Sequence, residues 1–361
     1  MGTANHFARD YADARRKFLA AAKGAGLKVA SYANPNKGPA GEDLFTDVVR
    51  IGSPAAKRLV LVNSATHGVE GFCGSGIIVS WLRSGQWKSL PRGVAMVLVH
   101  AINPHGFAWL RRVTEDNVDL NRNFQDFSKP LPVNAPYDEL HPVILSERWD
   151  EAAAAERGRM FDAFRQRHGA MALQGAIGSG QYRHADGVFY GGTRPTWSNQ
   201  TFRAILGKFA VKARDVAFID LHTGLGPYGY GELICHAMPG TEEWTELQAW
   251  YGEGLTSAEA GNSSSAKLTG FIRKAVKEAL PEARVRALAI EYGTFAMPAT
   301  LGALIADNWL HLKGDLASPL GKRIKAEIRR TFYPDEDDWK EMVALRAHQI
   351  MRRAMRSVAE A

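Results

Sequence analysis

The chain has 361 residues, 45% of them hydrophobic and 23% charged, which is enough apolar material for a large core. Its formal net charge of +7 is spread among acidic residues instead of being gathered into a basic stripe, so no nucleic-acid partner is expected. Residues 1–22 carry Asp10, Asp13, Arg15, Arg16 and Lys17 where a signal peptide needs an apolar run, and no stretch reaches the ~18 apolar residues of a membrane span. With only Cys73 and Cys235, and no C-x-x-C spacing, a disulfide framework is not indicated. No membrane association and a cytoplasmic location are the expectations.

Residues 5–24 read as an amphipathic helix that ends at Gly24 and Gly26. Short β-like runs follow at 28–32 and 44–51, then Arg58-Leu-Val-Leu-Val-Asn63, a continuous apolar run suited to a strand buried on both faces. A glycine-punctuated loop leads to a helix at 75–82, and 94–102 is a second buried strand stopped by Asn103-Pro104. Further buried strands fall at 216–221 and 285–290. Buried strands separated by helix-length segments predict an α/β fold with a mixed, mainly parallel central sheet and helices on both faces. In such sheets ligands gather at the carboxyl ends of the strands.

Between them, residues 125–214 hold an alanine-rich helix (146–168) and a Gly/aromatic loop (175–199), which read as an insertion or cap over the cleft. Residues 262–266 are a polar loop, and 337–359 a C-terminal helix whose Arg352, Arg353 and Arg356 form a solvated face. A single catalytic domain over 1–361 is expected, with its core at about 28–332.

The first buried strand ends in Ala65-Thr-His67-Gly-Val-Glu70-Gly, an imidazole and a carboxylate three residues apart. Alone, that spacing is weak, because the chain has 11 histidines and many glutamates. The third ends in Asp220-Leu-His222-Thr-Gly, and a histidine from a separate strand would complete a His₂Glu set with an open fourth position, as catalytic zinc requires. The fourth ends in Ile290-Glu291-Tyr-Gly. A carboxylate at the end of an apolar strand is costly unless it faces a polar cleft or a cation. Arg111-Arg112 and Asn117-Val-Asp119-Leu-Asn121-Arg122-Asn lie between these segments, and planar guanidinium donors suit a carboxylate or a developing oxyanion.

The ordered set His67-x-x-Glu70, Asn103-Pro104, Asp119-Leu-Asn121-Arg122-Asn, Asp220-Leu-His222 and Glu291 resembles the zinc carboxypeptidase superfamily, which includes carboxypeptidase A and the aspartoacylase and succinylglutamate desuccinylase deacylases. The wording of Thr66-His67-Gly-Val-Glu70-Gly, Asn117-Val-Asp-Leu-Asn-Arg-Asn-Phe124 and Asp220-Leu-His-Thr-Gly-Leu-Gly226 is more similar still to an uncharacterised bacterial carboxypeptidase-like family. The resemblance implies that His67, Glu70 and His222 hold one Zn²⁺ per chain, that Glu291 is the general base toward water at the metal, and that Asp119 orients His67. It implies that Arg112 stabilises the oxyanion, with Arg111 as its neighbouring alternative, and that Asn121 and Arg122 hold a substrate carboxylate. The carboxypeptidases carry a tyrosine on a loop above the site. No tyrosine here matches it by motif, and Tyr190, Tyr228 and Tyr292 are the candidates.

The implied activity is hydrolysis of an amide bond near a free carboxylate, on a small peptide substrate. The alternatives are an N-acyl amino acid deacylase of the aspartoacylase type and a metal-bearing binding protein without turnover.

Overall fold

The computed structural model describes residues 2–361. Its eight strands form one sheet: β1 (Val29–Lys37), β2 (Asp43–Ile51), β3 (Arg58–Ser64), β4 (Val94–His100), β5 (Asp215–Tyr228), β6 (Gly231–Cys235), β7 (Leu255–Ser257) and β8 (Arg284–Gly293). Their order across the sheet is β1-β2-β4-β3-β5-β8-β6-β7. The four central strands, β4, β3, β5 and β8, run parallel; β2 and β6 flank them antiparallel.

Side chains alternate across a strand with a period of two, and the apolar runs therefore feed two cores. Val60 and Val62 of β3, Met96 and Leu98 of β4, Ile219 and Leu221 of β5 and Leu288 and Ile290 of β8 enter one core. That core is shared with Phe18, Ile77, Trp81, Trp339 and Met351 of the helices Tyr11–Gly24, Gly71–Ser84 and Asp337–Glu360. The intervening Leu61, Val97, Phe218 and Ala287 enter the opposite core, with Phe202 and Ile205 of the helix Trp197–Phe209 and Val276 of the helix Arg273–Ala279. Both faces of the sheet are thus covered, which explains why the central strands read as unbroken apolar runs.

From β3 the chain crosses to β4 on one side, and β5 lies on the other. The strand order reverses there, and the crevice beyond the carboxyl ends of β3 and β5 is where such a sheet binds ligands. Ala65, with φ 59°, and Ala101, with φ 60°, follow β3 and β4 in left-handed conformations that a non-glycine residue rarely adopts. Their backbones are tied together by Ile102 N donating to Ser64 O and Asn103 N to Ala65 O. The strain sits at the strand end that turns His67 into the crevice, a place where such conformations concentrate.

No strand of the sheet falls between Phe124 and Asp215 among the described residues. The helices Ala135–Ile144, Glu151–His168 and Ala170–Gly178 pack there around their own apolar cluster, which includes Tyr137, Leu140, Phe164 and Ile177 and reaches Ile305 of the helix Met297–Lys313. The helix Ala170–Gly178 begins after the helix read at 146–168 and runs into the stretch read as a loop from 175. Residues 197–209, also within the predicted insertion, form a helix on the sheet itself.

Candidate metal centre and cleft

The His67-Gly-Val-Glu70 turn is pinned by two backbone bonds, Gly68 N to Arg112 O at 3.1 Å and Val69 N to Arg111 O at 2.8 Å. Gly68 has no room for a side chain, since a Cβ there would stand 2.0 Å from the carbonyl carbon of Gly106. The turn that carries His67 and Glu70 is thereby fixed against the segment that carries Arg112.

His222 lies beside Glu291 in the β5–β8 register. Its Nδ1 sits 3.2 Å from His67 Nδ1 and 3.1 Å from Glu70 Oε2, while His67 Nδ1 is 2.8 Å from Glu70 Oε1. The far nitrogens face carboxylates. His222 Nε2 donates to Asp220 Oδ2 at 2.6 Å, and His67 Nε2 stands 3.3 Å from Asp119 Oδ1 without the alignment of a hydrogen bond. Asp220 is held in turn by Thr66 Oγ1 and Asn63 Nδ2, each at 2.8 Å.

With Nε2 of His222 committed as donor, its Nδ1 is a lone-pair nitrogen that faces another Nδ1 and a carboxylate. All three residues are at most 4% exposed. Converging buried acceptors with too few protons between them are unfavourable unless a cation sits among them, and two imidazoles with one carboxylate suit zinc. The residues therefore fit the metal.

The charges agree with that reading. Burial opposes ionisation of Glu70, but His67 and His222 hold its carboxyl well below the usual range. Burial opposes protonation of His222, yet Asp220 and Glu70 lift its pKa well above the ordinary value, the direction expected where negative charge converges on one ring. Glu291 behaves oppositely: burial, reinforced by the negative Glu70, pushes its carboxyl up to about 8. Leu225 N donates to its Oε1 at 3.1 Å.

Arg112 Nε donates to Asp119 Oδ2 at 2.8 Å and its Nη1 lies 3.4 Å from Glu70 Oε1, with the guanidinium 5.0 Å from the centre of the Phe189 ring. Arg122 is 3% exposed; its Nη1 donates to Asn121 O and its Nη2 to Gly178 O, while Nε is buried without a partner. Asn121 Oδ1 accepts from Ile272 N at 2.9 Å. Burial opposes ionisation of Asp119, but Arg112 and Arg122 hold its carboxyl well below the usual range.

His67, Glu70, His222, Glu291, Arg112, Asn121 and Arg122 line one cavity of about 470 Å³. Arg111 and Tyr190 do not join them. Arg111 turns away to Asp307 Oδ2 at 3.2 Å and Asn117 Oδ1 at 2.8 Å, so that of the two neighbours only Arg112 lines the cleft. Tyr190 contributes its carbonyl, which accepts from Asp119 N at 2.7 Å, and of these two adjacent residues it is Phe189 that lines the cavity. Tyr228 donates to Asp338 and Tyr292 is fully buried in the core beneath the sheet. Asp220 and Phe189 carry roles that the sequence reading did not assign. The Asp-x-His spacing signals the first, and nothing local signals the second.

The family described as a protein of unknown function, DUF2817, matches residues 7–346. The chain belongs to that family. No curated protein matches it. Among solved structures it is similar to carboxypeptidase A from Helicoverpa armigera, at 13% identity and TM-score 0.45, over 89% of this chain and 73% of that one. It is similar to bovine thrombin-activatable fibrinolysis inhibitor, at 12% identity and TM-score 0.45, over 96% and 98%. It is also similar to an aspartoacylase family protein from Mesorhizobium loti, at 15% identity and TM-score 0.38, over 79% and 66%.

Proposed function

We propose that the chain is a zinc-dependent hydrolase that cleaves an amide bond close to a free carboxylate. The observation that carries this reading is the convergence of His67 Nδ1, His222 Nδ1 and Glu70 within 3.2 Å of one another, in the same cavity as Glu291. A zinc ion held by those three residues would supply Lewis acidity toward the scissile carbonyl and toward water.

The chain's own groups account for the rest of the chemistry. Glu291, in the same cavity as the three ligand residues, accepts a proton from the attacking water and later returns it to the leaving amine. Arg112 faces the oxyanion as it develops, a contribution typically worth ~3–4 kcal/mol per donor. Asp119, clamped between Arg112 and His67, sets the position of both. Arg122 and Asn121, which line the same cavity, hold the substrate carboxylate.

Beyond these groups the helices Glu151–His168, Ala170–Gly178 and Met297–Lys313 line the cavity with an apolar patch, Phe161, Leu173, Ile177, Leu301 and Ile305, beside the polar Arg157, Asp162, Arg165 and Gln174. That patch favours an apolar residue or acyl group beside the scissile amide, and it accommodates a peptide or an N-acyl amino acid. Among the described residues no helix is long and apolar enough to cross a membrane, and a cytoplasmic location is part of the proposal.

The test couples metal and chemistry. Elemental analysis of His67→Ala and His222→Ala should show loss of the cleft zinc, whereas Glu291→Gln should keep it and lose at least 100-fold in kcat on an amide substrate. Wild-type metal content in the histidine variants would remove the ligand assignment, and near-wild-type turnover in Glu291→Gln would remove the base.

A further inference from the structure

The roof of the cleft carries a second histidine cluster, away from the catalytic residues. His141, on the helix Ala135–Ile144, and His184, in the turn before Phe189, stack with ring centroids 3.9 Å apart and planes 25° apart. Asp186 Oδ1 lies 3.3 Å from His141 Nε2, an edge length that matches two ligands of one tetrahedral zinc ion. One donor atom from each of His141, His184 and Asp186 falls within a 4.8 Å group.

The surroundings select tautomers as they do at the catalytic centre. Asp138, three residues before His141 on the same helix face, accepts from His184 Nε2 at 2.8 Å and leaves Nδ1 as the lone-pair nitrogen of that ring. Arg183 holds the other oxygen of Asp138 at 2.6 Å. His141 Nδ1 is buried without a hydrogen-bond partner. Two imidazoles stacked in contact and a carboxylate that is 55% exposed form the donor set, with the solvent side at Asp186.

We propose that His141, His184 and Asp186 bind a divalent transition metal, with Asp138 orienting His184, as a site separate from the one in the cleft. Its place in the fold gives it a purpose. It joins the first cap helix to the turn 184–190, whose Phe189 ring covers Arg112 at 5.0 Å and Arg122 at 5.6 Å. The same turn is already suspended from the core by Asn117 Nδ2 on Ala185 O and Asn308 Nδ2 on Asp186 O. A metal there fixes the roof of the cleft without contributing to the reaction.

The full chain is stripped with chelator, reloaded with Zn²⁺, desalted and counted by elemental analysis. Expected are about two zinc ions in the wild type, about one in His184→Ala and in Asp186→Asn, about one in His222→Ala, and none in His184→Ala/His222→Ala. A second readout uses Co²⁺ in the His222→Ala background, where the remaining site should give ligand-field absorption that His184→Ala abolishes, and Zn²⁺ should raise the melting temperature only while His184 is present. Equal zinc counts in wild type and His184→Ala, or cobalt spectra of the free aquo ion in His222→Ala, overturn the proposal. Loss of metal in His184→Ala but not in His222→Ala would leave this site standing and remove the catalytic one.

Discussion

Asp220→Asn tests how the metal centre is built without touching a ligand. In the native chain Asp220 accepts from His222 Nε2 at 2.6 Å, from Thr66 Oγ1 at 2.8 Å and from Asn63 Nδ2 at 2.8 Å, and three donors converging on one carboxylate permit only the tautomer with Nδ1 unprotonated. An asparagine of the same shape has one carbonyl oxygen and must present its NH₂ to at least one of those donors. The side chain resolves the clash by turning NH₂ toward His222, which then protonates on Nδ1, the atom that faces His67 and Glu70. Loss of such an orienting partner costs metal affinity by about 10–100-fold, about 1.4–2.8 kcal/mol. Competition with a chromophoric chelator measures the zinc affinity directly. Asn63→Ala is the control: it removes one of the three donors and leaves the tautomer set, so it should cost less than about threefold on the same scale. Asp220→Asn with zinc affinity within twofold of wild type would show that the tautomer of His222 is not set by Asp220.

Gly68→Ala forces a methyl against the Gly106 backbone 2.0 Å away; it should lower stability by about 1–3 kcal/mol and weaken zinc retention, as read by thermal unfolding and elemental analysis. His100 is buried against Phe18 and Ser75, and burial pulls it down to about 4 from an ordinary 6.5. Its contribution to stability is complete above pH 6.5 and is lost as pH falls through about 4, so in chelator His100→Gln should reduce the acid-induced loss between pH 7 and 4 by up to about 3 kcal/mol; an unchanged pH dependence by chemical denaturation would refute this. Arg122→Lys keeps the charge but not the fork, and should raise KM by about tenfold or more with little change in kcat. Arg112→Lys should lower kcat more than it raises KM, because its partner develops only in the transition state.

The central strands were legible because burial on both faces leaves an unbroken apolar run, as in Leu59 to Val62 and Ala95 to Val99. The short strands β6 and β7 were not: Gly231–Cys235 and Leu255–Ser257 are too brief for a periodicity to register, and they form only by pairing onto β8 and β6. His67 and Glu70 were legible from their position just past β3, and His222 from its place at the end of an apolar run, although β5 itself continues to Tyr228. The choice between Arg111 and Arg112 was not, since it is decided by Asp307, nearly two hundred positions along the chain, drawing Arg111 away. Phe189 stayed hidden for the same reason. It reaches the cleft through a left-handed residue, φ 56°, in a turn held by contacts distant in sequence.

The central claim, hydrolysis of an amide beside a carboxylate by the metal-loaded cleft, is tested most directly by following amine release from matched substrate pairs, peptides and N-acyl amino acids, each with its carboxylate free or converted to the amide. The account predicts release from free-carboxylate substrates, at least 100-fold less from blocked ones, loss of activity on chelation and its return with Zn²⁺. Equal turnover of free and blocked substrates, or activity indifferent to chelation, would contradict it.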